Sequence, residues 1–177
     1  MLSRPNRNYC IAFPTQPDEA TDRTITHMDL ILWRHADAEP GEPDLRRCLT
    51  AKGIKQADRM ASWLDDHLPD SCRIMVSPAD RAQQTALPLK RKFRVVEELA
   101  PGASVDAVLA VAGWPDAREA ALIVGHQPTL GEIAATLLAG EALSWSMRKG
   151  AVWWLGNRAR EGSDEVVLKV VMSPDFV

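Results

Sequence analysis

Four side chains in this chain are suited to handling an anion: the adjacent pair Arg34-His35, then Arg81, then His126. Arginine offers planar, paired donors to oxyanions and keeps its charge at any working pH. Histidine titrates near neutrality and serves as nucleophile or base. Arg34-His35 follows the apolar run Leu30-Ile31-Leu32-Trp33, after which the chain turns abruptly polar. Two guanidiniums and two imidazoles converging on one place would suit a phosphoryl group, because its transfer is mostly positioning and charge stabilisation.

Convergence requires elements that bring these residues to one edge. The run 29–34 reads as a buried strand, followed by a loop rich in Pro, Gly and acids from Ala36 to Arg47. Thr50 is a helix N-cap, and Ile54, Ala57, Met60, Ala61 and Leu64 recur at helical spacing, so 50–67 reads as an amphipathic helix that Pro69 ends. Arg73 to Ser77 is a short strand. Ser77-Pro78 then suggests an N-cap with proline at the first helical position, placing Arg81 in the first turn of a helix that runs to about Leu87 and closes at Pro88.

Phe93 to Val96 reads as a third strand, and Val105, Val108, Leu109 and Ala112 mark a helix ending near Gly113. Ala121 to Val124 is a strand that Gly125-His126-Gln127-Pro128 turns into a helix over 129–139. Two final strands, Ala151–Leu155 and Glu165–Val171, are expected to flank a polar turn around Asn157 to Asp164 and to pair antiparallel at an edge. Strands alternating with helices predict an α/β, three-layer α-β-α sandwich on a mostly parallel sheet. In such sheets ligands bind outside the carboxyl ends of strands, where Arg34-His35, Arg81 and His126 all fall.

At 177 residues, with 46% apolar and 25% charged residues, the chain has the composition of an ordinary globular protein. Residues 28–177 are expected to form a single domain, and residues 1–27, with Pro5, Pro14 and Pro17, a disordered extension outside it. A net charge of −3 gives no overall drive toward nucleic acid or an anionic membrane. Three cysteines fit neither a disulfide framework nor a metal-ligand spacing, which favours a cytoplasmic setting.

The segments Leu32-Trp33-Arg34-His35-Ala36, Ser77-Pro78-Ala79-Asp80-Arg81-Ala82-Gln83-Gln84-Thr85 and Val124-Gly125-His126-Gln127-Pro128 resemble, in order, the motifs of the histidine phosphatase superfamily, with its phosphoglycerate mutase-like fold. Asp44-Leu45-Arg46-Arg47-Cys48-Leu49-Thr50-Ala51-Lys52-Gly53 resembles the loop of its SixA-type branch, the protein phosphohistidine phosphatases. The resemblance spans about Met28 to the C-terminus. It implies His35 as a transiently phosphorylated nucleophile, with Arg34, Arg81, His126 and Arg47 binding phosphoryl oxygens. Asp44 matches an acidic loop position, and Asp37 is a second auxiliary candidate. Two departures stand out: Ala36 replaces a common glycine, and Cys48 stands where proline is frequent.

The short span between Arg81 and the strand at Ala121 leaves little room for the insertion that supplies a proton donor in larger branches. A phosphoester needs its poor alkoxide leaving group protonated. Imidazole, whose conjugate acid has a pKa of about 6.5, leaves far more easily. The expected activity is therefore a metal-independent, cofactor-free phosphohistidine phosphatase in signal transduction, acting on a histidine phosphotransfer or carrier domain. The alternatives are a phosphatase for small phosphomonoesters on the same scaffold and a non-catalytic phosphate-binding module. A metal on His35, Asp37 and His126 is disfavoured by the neighbouring arginines, which would repel a cation. Lys90-Arg91-Lys92 reads as a helix terminus complementing its dipole, and Trp145, Trp153 and Trp154 as core or edge packing.

Overall fold

The computed structural model describes residues 27–160 and 163–177. The expected extension, apart from His27, lies outside the described residues. The strands are β1 (Asp29–Arg34), β2 (Arg73–Val76), β3 (Arg94–Val95), β4 (Ala121–Gly125), β5 (Val152–Arg160) and β6 (Ser163–Met172). The helices are α1 (Ala51–His67), α2 (Asp80–Ala86), α3 (Val105–Ala112) and α4 (Thr129–Ala139). Among the described residues the strands form one sheet in the order β3-β2-β4-β1-β5-β6. The first four in that order run parallel, while β5 is antiparallel to both β1 and β6.

The period of two along the strands sorts their side chains onto two faces. Ile31, Trp33, Ile74, Val76, Leu122 and Val124 pack against Met60, Ala61 and Leu64 of α1 and Ala82 and Ala86 of α2. Leu30, Leu32, Met75, Ala121 and Ile123 pack against Val108 and Ala112 of α3 and Leu130, Ile133 and Ala134 of α4. Both faces are thus covered, giving the predicted three layers. Truncating a fully buried aliphatic such as Leu32 or Leu122 in such a core costs about 2–5 kcal/mol.

Three expectations about local structure need correction. Ser77 does not cap α2. The N-cap is Ala79, whose carbonyl accepts the first helical bonds from Ala82 and Gln83, while the Ser77 hydroxyl accepts from the Ala79 amide and meets His126. α2 ends at Ala86, one residue early, and Pro88 sits in the 3-10 turn Leu87–Leu89 that continues from it. The polar stretch read as a turn at Asn157–Asp164 belongs largely to β5 and β6. β5 runs on to Arg160 and β6 begins at Ser163, so both strands extend beyond their apolar runs.

Other readings match. Thr50 caps α1 by accepting from the Gly53 amide at 2.9 Å, and Gly113 and Gly140 end α3 and α4 in the left-handed conformation. Arg91 does serve a helix terminus, though that of α1, where it pairs with Asp65 and donates to the Leu68 and Pro69 carbonyls. Trp154 is buried, and half-buried Trp153 is covered by Trp145 with ring centroids 6.1 Å apart. Cys48 and Cys72 are free thiols.

Candidate active site

Arg34 is the last residue of β1, in register with Gly125 at the end of β4. His35 follows, and its backbone is held from several sides. Its amide donates to the Gly125 carbonyl (3.1 Å) and its carbonyl accepts from the Gly150 amide (3.1 Å). The next amide, Ala36, donates to Thr85 Oγ1 (3.0 Å), which donates in turn to the Arg81 carbonyl (2.6 Å). The imidazole is buried, and its Nδ1–H donates to the Ala36 carbonyl at 2.7 Å. That bond fixes the tautomer and leaves Nε2 as the ring's lone pair. Burial, aided by the positive charges of Arg81, Arg34 and Arg47, pushes the His35 pKa down to about 4. The ring is therefore neutral at physiological pH.

Arg81 projects from the first turn of α2 and is almost completely buried. A cation is poorly placed at a helix N-terminus, so its presence there needs an anion in compensation. Asp44 supplies one: Arg81 Nη1 donates to the Asp44 carbonyl at 2.6 Å and Nη2 to Asp44 Oδ2 at 2.9 Å. Arg81 Nη2 also lies 3.4 Å from His126 Nδ1, and His126 Nε2 lies 2.7 Å from Ser77 Oγ. His126 stands in the β4–α4 turn, its ring centroid 5.1 Å from that of His35. Burial, with His35 and Arg81 nearby, pushes the His126 pKa down to about 3.

These groups face a cleft of about 460 Å³ lined by Arg34, His35, Asp44, Arg47, Arg81 and His126, with Gln127 and Lys149 on its rim. Arg47 Nε donates to Asp44 Oδ1 at 2.9 Å and its Nη1 to the Glu39 carbonyl at 3.1 Å. Arg34 donates to the Met147 carbonyl, and burial lowers its pKa from the ordinary arginine value. Arg34 and Arg81 each keep a buried Nε without a partner. Arg81 and Arg47 hold the Asp44 carboxyl below the usual carboxylate range. The arrangement suits binding of a tetrahedral oxyanion against a neutral imidazole nucleophile.

The structure thus brings together Arg34, His35, Asp44, Arg47, Arg81 and His126. Asp37, expected as a second auxiliary, is not among the residues lining this cleft. Its carboxylate is taken up by Lys149 and by the Thr50 hydroxyl (2.9 Å), which ties the loop to the start of α1. Gly53 is required there, since a Cβ would lie 1.9 Å from the Asp37 carbonyl oxygen. Sequence reasoning missed Lys149, Gln127 and the role of Ser77. Lys149, which in sequence reads with Arg148 and Trp145 as a candidate docking rim and not as a site residue, comes from the irregular segment between α4 and β5. Among the described residues no cluster of three His, Cys, Asp or Glu side chains could hold a metal ion.

Comparison with known proteins gives a consistent picture. Residues 30–102 match the family model of the Histidine phosphatase superfamily (branch 1). The chain is 34% identical over 126 residues to the phosphohistidine phosphatase SixA homolog of Haemophilus influenzae, covering 62% of this chain and 77% of that one. It is 32% identical over 123 residues to phosphohistidine phosphatase SixA of Escherichia coli, covering 64% and 76%. A solved structure of the protein histidine phosphatase SixA complexed with tungstate superposes with a TM-score of 0.67 at 27% identity, covering 84% of this chain and 99% of that one.

Proposed function

Because the chain belongs to the histidine phosphatase superfamily, we propose that it is a phosphohistidine phosphatase working through a phosphorylated His35. The observation that carries this reading is the His35–Ala36 hydrogen bond inside an arginine-lined cleft. The bond leaves Nε2 as the nucleophilic lone pair, and burial keeps the imidazole neutral. In the first step Nε2 attacks phosphorus in line on a substrate ring protonated at its other nitrogen, the P–N bond breaks, and neutral imidazole departs with the bonding pair and that proton. In the second, water attacks phospho-His35, the new P–N bond breaks, and inorganic phosphate and free His35 result. Arg34, Arg47, Arg81 and His126 bind the phosphoryl oxygens as charge shifts onto them.

The leaving group follows from the acids near the site. Asp44, the carboxyl on the cleft wall, is held ionised by Arg81 and Arg47 and is unsuited to donating a proton. Between α2 and β4 the chain forms only short turns, β3 and α3. A leaving group that departs without help, such as imidazole, fits this site better than an alkoxide. We take the substrate to be a histidine phosphotransfer or carrier domain in cytoplasmic signal transduction, and residues 28–177 to be the catalytic domain.

The test is hydrolysis of a phosphorylated histidine-containing carrier domain against a panel of small phosphoesters. Preference for the phosphoprotein, with acid-labile phosphate trapped on the protein and absent from His35→Ala, is the expected outcome. Preference for the esters would overturn the substrate assignment. Absence of trapped phosphate would overturn the covalent route.

A further inference from the structure

The Asp44 carboxylate engages guanidinium donors on the cleft wall. Each of its oxygens engages a different arginine of the cleft, Oδ2 on Arg81 Nη2 and Oδ1 on Arg47 Nε, both at 2.9 Å. A phosphoryl group bridging these guanidiniums would use the same donors. We propose that Asp44 is an internal competitor for the phosphate site, occupying Arg81 and Arg47 when the cleft is empty and weakening the hold on inorganic phosphate. The proposal deepens the phosphatase reading and rests on it for its biological sense.

Three features support a competitor over a fixed scaffold. Arg81 is almost wholly buried, and a buried guanidinium without an anion is costly, so some carboxylate or phosphate must neutralise it at every stage. Asp44 itself is half exposed, on the 3-10 turn Asp44–Arg46, which buries none of its residues. Its carboxylate can swing to solvent when a better anion enters. Arg34, by contrast, is answered by a backbone carbonyl, which does not compete as a charge. A cleft holding several arginines and no internal anion would retain the phosphate it produces. An ionised carboxylate lowers that affinity and speeds return to the empty state.

The test uses Asp44→Asn, which keeps the shape and removes the charge, with Asp44→Ser as a second variant. Inorganic phosphate and tungstate binding are measured by calorimetry, alongside inhibition of phosphoprotein hydrolysis by phosphate. Both variants should bind each oxyanion about tenfold more tightly and show a correspondingly lower inhibition constant for phosphate. Unchanged or weaker oxyanion binding in folded variants would overturn the proposal and leave Asp44 as a holder of Arg81. Because calorimetry needs no substrate, a wild-type protein inactive on phosphohistidine would count against the phosphatase reading alone.

Discussion

Arg81 Nη2 and His126 Nδ1 lie 3.4 Å apart, and the direction of that contact is fixed by chemistry. A guanidinium only donates, so Nδ1 must be the acceptor and the ring proton must sit on Nε2, where it is given to Ser77 Oγ. His126 is therefore a neutral imidazole whose donor faces a serine. A bound phosphoryl dianion would favour protonation of the Nδ1 lone pair and turn His126 into a donor on both sides.

Arg81→Ala and His126→Ala should each reduce kcat on a phosphohistidine protein by roughly 10²–10³-fold, the loss that follows removal of one oxyanion donor. Single-turnover kinetics checks this. Unchanged turnover in both variants would refute the site.

Ser77→Ala removes the acceptor for a buried N–H and should cost about 1–3 kcal/mol of stability. The released ring is free to rotate, so kcat should fall less than in His126→Ala. Denaturant titration and steady-state kinetics on the same preparation separate the two effects.

The pH dependence has a definite sign. His35 and His126 are neutral when folded, with pKa values down at about 4 and about 3, whereas in the unfolded chain they take up protons below about pH 6.5. The unfolded state binds more protons in that window. Stability is therefore full above about pH 6.5 and is lost as pH falls toward 4, by up to about 1.4 kcal/mol per pH unit for each histidine. His126→Gln should remove its share of that slope, measured by denaturant unfolding at pH 7 and pH 5. Activity set by His35 should hold through pH 6, with no loss at an ordinary histidine pKa.

Gly131→Ala tests the segment between α4 and β5. A Cβ there would lie 1.7 Å from the Trp145 carbonyl oxygen and 2.9 Å from Gln127 Nε2. Gln127 bridges the two by accepting from the Gly131 amide and donating to the Trp145 carbonyl. The substitution should cost about 1–3 kcal/mol and lower kcat/KM by disturbing the Met147 carbonyl on Arg34. Wild-type stability and activity in this variant would show the segment to be slack.

EDTA treatment should leave hydrolysis unchanged. A loss restored by a divalent cation would revive a metal-dependent reading.

The parts of the fold written in periodicity were legible. Leu30 to Trp33 and Ala121 to Val124 are continuous apolar runs because both faces of their strands are covered, and α1 shows its stripe between the Thr50 cap and Pro69. The site was legible where reactive residues stand at strand ends, as Arg34, His35 and His126 do. It was not legible where position depends on distant packing. The partner that decides Ser77's orientation is His126, forty-nine residues further along the chain. Lys149 reaches the cleft through the pairing of β5 with β1, and Asp37 is drawn to Lys149 and Thr50 although it neighbours His35 in sequence.

The reversed direction of β5 has a consequence for how this cleft can diversify. Running antiparallel to β1, β5 begins at the edge where β1 ends, so Met147 and Lys149 in the irregular residues before it reach the reactive centre without belonging to the sheet. One wall of the cleft is anchored in the central strands and their following turns. The other is an irregular segment outside the ladder, fastened by buried Met147, by the Met147 carbonyl on Arg34 and by the Lys149–Asp37 pair. Exchanging only the exposed residues 141–144 between relatives should therefore leave the Met147 carbonyl on Arg34 and the phosphoryl-handling groups in register, whereas exchange reaching Met147 should not.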